Sequence, residues 1–149
     1  MAPASWFRST KTYRNLPCAH RRWQHDGHCA HVHGYSRAFT LTFRCTERTV
    51  NGFVMDFGEL KPVKAWLEKH YDHTLLLDAD DPLLPAFRAL EEQGACRLVV
   101  YDDVGMEGSA HFVFDWVSQW VENHTQGRVQ LVSVECREND KNSAIYQPE

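Results

Sequence analysis

The sequence lacks a long apolar run, a run of basic residues and an even set of cysteines, and each absence removes a class of protein. No stretch approaches the roughly 20 apolar residues of a membrane-spanning helix. Residues 1–15, MAPASWFRSTKTYRN, hold no apolar segment of the kind a secretory leader needs. Sixteen Lys and Arg stand against twenty Asp and Glu, a net charge of -4, so no electrostatic face suits a nucleic-acid duplex. The five cysteines, Cys18, Cys29, Cys45, Cys96 and Cys136, are odd in number and unevenly spaced. That argues for free thiols in a reducing compartment rather than a disulfide framework. The expectation is a cytoplasmic protein with neither a membrane nor a nucleic acid as partner.

What is present suits one globular domain over residues 1–149, with 43% apolar residues and no internal repeat or low-complexity tract. Phe7, Ser9, Lys11 and Tyr13 alternate with other residues as in a strand. Phe39, Leu41 and Phe43 do so more strongly within residues 37–43. Residues 15–34 between them read as a functional loop. Asp56 and Glu59 have capping-box spacing before a helix through Val63 and Leu67 to about residue 70, limited at its start by Pro62. Asp81-Pro82 opens a short helix that Gly94 ends, and residues 97–101 read as a strand. Residues 107–124 form the clearest helix, with Val113, Trp116, Val117, Trp120 and Val121 as its stripe. A last long strand, residues 129–138, places Val132, Val134, Cys136 and Glu138 on one face, and residues 144–146 return beside it. The pattern implies an α+β fold, an antiparallel sheet covered by helices on one face.

Five of the nine histidines, His20, His25, His28, His31 and His33, crowd into one segment. If the chain is extended from Cys29 onward, Cys29, His31, His33 and Tyr35 share a face, with His20 brought back from a second strand. Imidazole and thiolate together suit zinc. Three readings are open at this point: a catalytic metal, a closed structural zinc knot, and a solvated His-rich loop without metal.

The sequence resembles the 6-pyruvoyl-tetrahydropterin synthase and 6-carboxy-tetrahydropterin synthase family over nearly its whole length. The resemblance is carried by CAH at Cys18 to His20, C-x-x-x-H-G at Cys29 to Gly34 and GFVMDFGELK at Gly52 to Lys61. Asp72-His73, and Glu138 followed eight residues later by Tyr146, complete it. It implies the tunnelling fold, with a four-stranded antiparallel sheet, subunits joined into a β-barrel ring, and two trimeric rings stacked as a homohexamer with sites between subunits. It also implies Zn2+ and a small-molecule pterin substrate. His20 and His33 match two of the family's three zinc histidines, and the third falls on Tyr35. Either Tyr35 ligates as a phenolate, or His31 takes over, or metal binding is weakened or lost; retained zinc is the reading preferred. Cys29 matches the catalytic cysteine, Asp72 and His73 the acid-base pair, and Glu138 the pterin anchor.

Together these imply a zinc-dependent lyase acting on 7,8-dihydroneopterin triphosphate. The compact C-x-x-x-H-G form favours 6-carboxy-5,6,7,8-tetrahydropterin, on the route to 7-deazaguanine and queuosine, over 6-pyruvoyl-tetrahydropterin. A zinc-poor homologue that binds a pterin or purine without turnover is the alternative. Glu107 and Asp56 read as helix caps, and Arg21 and Arg22 as groups placed to meet a triphosphate tail.

Overall fold

The computed structural model describes residues 5–149. Two long strands, β1 (Phe7–His20) and β2 (His33–Cys45), pair antiparallel and form the centre of the sheet. The helix α1 (Lys61–Tyr71), the strand β3 (Thr74–Asp78), the helix α2 (Leu84–Glu92) and the strand β4 (Leu98–Tyr101) follow. The long helix α3 (Met106–Thr125) then leads into β5 (Gln130–Arg137) and β6 (Ser143–Tyr146). The sheet has six strands in the order β4-β3-β1-β2-β5-β6, and not four. The antiparallel part is β1-β2-β5-β6; β3 and β4 extend it in parallel from the end of β1. Of the two additional strands, β3, which the sequence pattern does not show, is Thr-Leu-Leu-Leu-Asp, buried at all five positions. A strand covered on both faces carries no polar alternation, so its period is invisible in the sequence.

β1 continues well past Tyr13, so the loop is confined to the residues between His20 and His33. Tyr13 opposes Phe39 and Leu16 opposes Arg37, which leaves one extra residue on β1. Asn15, at φ 62, lies in this bulge, in the left-handed region that Asn tolerates better than most side chains. The bulge reverses which residues of β1 face inward: Tyr13 is buried before it, and Leu16, Cys18 and His20 after it.

The core lies between this sheet and α1 with α3. Phe39, Leu41, Phe43 and Cys45 of β2 are fully buried, as are Val63 and Leu67 of α1 and Val113, Val117 and Val121 of α3. Pro62 sits in the first turn of α1, where no helical hydrogen bond is lost, and Asp56 caps the preceding 3-10 turn Phe57–Glu59 through Gly58 N. Glu107 is in the first turn of α3 and Gly105 is its cap. Trp116 is only partly buried and stacks on Trp66, centroids 4.7 Å apart, at the flank of the helix layer. The core line of α3 is made instead of smaller residues, Ser109, Ala110 and the valines, because they let the helix approach the sheet. α2 stands outside that layer. None of its residues is buried, and Phe87 and Leu90 border a hollow with Leu75, the neighbour of the core residue Leu76. The helices therefore do not all cover one face.

Arg37 is fully buried on the same face of β2 as Phe39. Its guanidinium donates to Ser109 Oγ at 2.8 Å and to the Val104 carbonyl at 3.1 Å. Ser109 Oγ also shares a hydrogen bond with the Tyr101 hydroxyl at 2.7 Å, and Tyr101 with the Tyr71 hydroxyl at 2.9 Å. A buried polar chain is costly when one member is missing. Ser109→Ala should lower the unfolding free energy by about 1–3 kcal/mol, whereas Tyr71→Phe, which removes only the terminal hydroxyl, should cost about 1 kcal/mol. Urea unfolding of the two variants measures the difference.

Candidate functional site

The helix-side face of β2 runs from Cys45 through Phe43, Leu41 and Phe39 to Arg37, Tyr35 and His33, because side chains alternate. The apolar row thus ends in a phenol and an imidazole. On β1, His20 opposes His33 and Cys18 opposes Tyr35. The His20 and His33 ring centroids lie 4.5 Å apart with the planes tilted by 48°, and the Tyr35 ring lies 5.6 Å from His33 and 6.4 Å from His20. Glu138 follows the last residue of β5, and its N–H donates to the Asn142 carbonyl at 3.0 Å. It continues the inward row of Val134 and Cys136. Three adjacent strands therefore bring His20, His33, Tyr35 and Glu138 to one end of one face.

His20 is buried, and its Nδ1 has no hydrogen-bond partner among the described residues. Burial first, then the charges of Arg37, His33 and Arg22, push its pKa down to about 3, so the ring is neutral. His33 Nδ1 lies 2.7 Å from the His31 carbonyl, which fixes that ring and leaves the other nitrogen available. The nearby Glu138 carboxylate raises the pKa of the Tyr35 phenol; burial and the charge of Cys29 add to this. Among the described residues, no three His, Cys, Asp or Glu side chains are arranged to hold a metal ion. The fit to zinc rests on the orphaned buried nitrogen of His20 beside the His33 ring, with Tyr35 as the third donor once its proton is released.

Cys29 and His31 do not share this face as extended residues. Residues His28–Ala30 form a 3-10 turn, closed by Ala30 N to the Gly27 carbonyl at 3.1 Å and His31 N to the His28 carbonyl at 3.0 Å. The strand begins only at His33, so the alternation that would align Cys29 with His33 has not started. Cys29 is half-buried in this turn.

Asp72 and His73 lie at the joint between α1 and β3. His73 has φ 60, and its N–H donates to the Pro17 carbonyl at 2.6 Å, which pins the joint to β1. Its Nδ1 is 2.6 Å from Asp72 Oδ1, the orientation an acid-base imidazole needs. The His73 side chain is 82% exposed. It borders a shallow hollow whose lining includes Pro17, Ala19, Gly34 and Ser36 together with Cys18 and Tyr35 of the imidazole row. Within one chain, His73 hydrogen-bonds Asp72 and Pro17 and neither imidazole of the pair among the described residues.

Arg21 is not free for a phosphate tail, whereas Arg22 is engaged through one terminal nitrogen and is 40% exposed. Arg21 holds both oxygens of Asp81, at 2.6 and 2.7 Å, and Arg22 holds Asp103 at 2.6 Å. The sequence reading assigned Arg37 no role. Its signal was an arginine at an inward position two residues from Phe39, where only a satisfied or functional cation is tolerated.

Residues 10–149 match the family model described as 6-pyruvoyl tetrahydropterin synthase. The 6-carboxy-5,6,7,8-tetrahydropterin synthase of Aquifex aeolicus (strain VF5) is 25% identical, over 94% of this chain and 97% of its own. That of Rickettsia felis is 33% identical over 42% of this chain and 46% of its own. Among solved structures, an uncharacterized protein from Wolinella succinogenes superimposes with a TM-score of 0.82 at 22% identity, covering 97% of this chain and 99% of the other. The 6-pyruvoyl tetrahydropterin synthase of Caenorhabditis elegans superimposes with a TM-score of 0.67 at 18% identity, covering all of both chains. These likenesses establish the α+β tunnelling fold. No helix among the described residues is long and apolar enough to cross a membrane.

The ion pair beneath the site sets a pH dependence. The Arg21 hydrogen bond holds the Asp81 carboxyl below the usual carboxylate range. A carboxyl with a depressed folded pKa contributes stability that is complete above its unfolded pKa of about 4 and is lost as pH falls through the folded value. Asp81→Asn should therefore be less stable than the parent at neutral pH and decline less steeply below about pH 4, as urea unfolding across that range will show.

Proposed function

The chain belongs to the 6-pyruvoyl tetrahydropterin synthase family, and from that premise we propose that it is a lyase converting 7,8-dihydroneopterin triphosphate to 6-carboxy-5,6,7,8-tetrahydropterin. The observation that carries this reading is the convergence of His20, His33, Tyr35 and Glu138 from three neighbouring strands. The product would supply 7-deazaguanine and queuosine formation, in the cytoplasm, from a single domain over residues 1–149.

Glu138 anchors the ring. A carboxylate accepts two parallel hydrogen bonds from the 2-amino group and N3–H of a pterin, and rings lacking those donors leave it unpaired. His20 and His33, with Tyr35, would hold Zn2+, which as a Lewis acid supplies polarisation of the side-chain hydroxyls. Cys29 takes the proton from the side chain. His73, oriented by Asp72, returns one. Loss of triphosphate and side-chain cleavage give the carboxy product; retention of the carbons would give the pyruvoyl one.

Because within one chain His73 hydrogen-bonds Asp72 and Pro17 and neither imidazole of the pair, we assign the complete site to two copies of the chain. The arrangement is the β-barrel ring of the tunnelling fold, two trimers forming a homohexamer. β1 supports this: β3 pairs with its residues 18–20 and the α1–β3 joint with Pro17, so the edge from residue 7 to 16 is open among the described residues.

Purified protein supplied with zinc is expected to carry about one ion per chain and to turn over 7,8-dihydroneopterin triphosphate. Glu138→Ala should weaken pterin binding by at least about 100-fold, the loss of a charged bidentate anchor. Cys29→Ala should keep pterin affinity while turnover falls by at least about 100-fold. Pterin binding by the parent without metal or turnover would instead assign the non-catalytic homologue.

A further inference from the structure

We propose that Arg21, locked to Asp81, is a positioning residue for Cys29. The proposal rests on the reading that Cys29 moves the proton. The segment after β3 matches no catalytic motif, yet its carboxylates hold three consecutive residues that follow His20. Arg21 Nε and one terminal nitrogen meet the two oxygens of Asp81 at 2.6 and 2.7 Å; the other terminal nitrogen donates to the Ala30 carbonyl at 3.2 Å. The Arg22 guanidinium meets Asp103 at 2.6 Å and Asp78 at 3.3 Å, and Trp23 Nε1 meets Asp80 at 3.1 Å. The Arg22 N–H donates to the carbonyl of Cys29 itself at 2.6 Å. Each turn residue on which the thiol depends is thus tied to a strand end on the far side of β1.

The Arg21–Asp81 pair is the buried part of this latch, with side chains 13% and 0% exposed, while Arg22 is 40% exposed. Asp81 is itself fixed: its Oδ1 accepts from Leu83 N at 2.9 Å, and its N–H donates to the Asp78 carbonyl at 3.0 Å. A buried ion pair adds little net stability over well-packed apolar residues, so its contribution here is geometric. Only a planar guanidinium reaches both carboxylate oxygens and a carbonyl at once. A lysine ammonium in its place meets one of them. Every nitrogen of Arg21 already has an acceptor, which separates this role from substrate binding. A displacement of about 1 Å at a proton-transfer group costs on the order of 100-fold in rate.

The test is Arg21→Lys, measured three ways. Turnover of 7,8-dihydroneopterin triphosphate should show kcat down by about 10- to 100-fold with KM within about two-fold. Iodoacetamide labelling resolved by peptide mass should quicken at Cys29 by at least about three-fold, with Cys96 as the internal control, because a released turn exposes the thiol. Asp81→Asn should reproduce both effects, and the double variant should be no worse than either single one. Unchanged kcat together with unchanged Cys29 labelling in Arg21→Lys overturns the proposal. So does a rise in KM at constant kcat, which would make Arg21 a substrate ligand, or failure of Arg21→Lys to fold, which would make the pair purely structural. If the parent chain does not turn over, the functional reading fails and Cys29 labelling alone judges the latch. Arg21→Lys, which leaves the Asp81 contact to Leu83 in place, decides if Asp81→Asn is unfolded.

Discussion

A single extra residue in β1 governs the site. Strand side chains alternate strictly, so a strand entering the sheet with Tyr13 inward would, without interruption, turn Cys18 and His20 to the opposite face. The bulge at Asn15 inserts one residue against β2 and changes the parity. His20 then meets His33 across the pair, and Cys18 faces Tyr35. The imidazole cluster is thus a consequence of register, set well before the histidines and in a part of the strand with no chemistry of its own. Bulges beside active sites commonly re-aim a side chain in this way.

Two polar systems then hold the cluster from either side. Behind it, the terminal nitrogens of Arg37 donate to Ser109 and the Val104 carbonyl rather than to a carboxylate, and its Nε has no partner among the described residues. Its uncompensated charge helps keep His20 neutral, the form in which an imidazole donates a lone pair. In front of it, the carboxylates at the ends of β3 and β4 hold Arg21, Arg22 and Trp23. The parallel strands that enlarge the sheet are therefore more than an extension of the core, since their ends secure the turn that carries Cys29.

Much of this was legible in the sequence, for identifiable reasons. β2, α1, α3 and β5 announced themselves through alternation or a helical stripe, and His33, Tyr35 and Glu138 could be assigned to inward rows from that alternation. β1 stopped too early because Asn15 and Pro17 are turn residues; Asn15 occupies a bulge, and Pro17 turns its carbonyl to the His73 N–H at the margin where β1 meets the α1–β3 joint, where a missing donor is tolerated. β3 was missed because a run of leucines buried on both sides has no period. The proposed alignment of Cys29 with His33 assumed an extended chain, and a 3-10 turn intervenes. No local pattern could show that His73 bonds to Asp72 and Pro17 and to neither imidazole of the pair, since that depends on where the α1–β3 joint is fastened to β1.

The open flank of β1 has a character of its own. Arg8, Lys11 and Arg14 stud it, and the aromatic rings nearby are roofed by cations, Arg44 over Trp6 and Arg48 over Phe7 at 4.1 and 4.3 Å. Uncovered strand margins template indiscriminate stacking unless charge forbids it. Two identical margins of this kind repel each other, which disfavours edge-to-edge pairing of like copies.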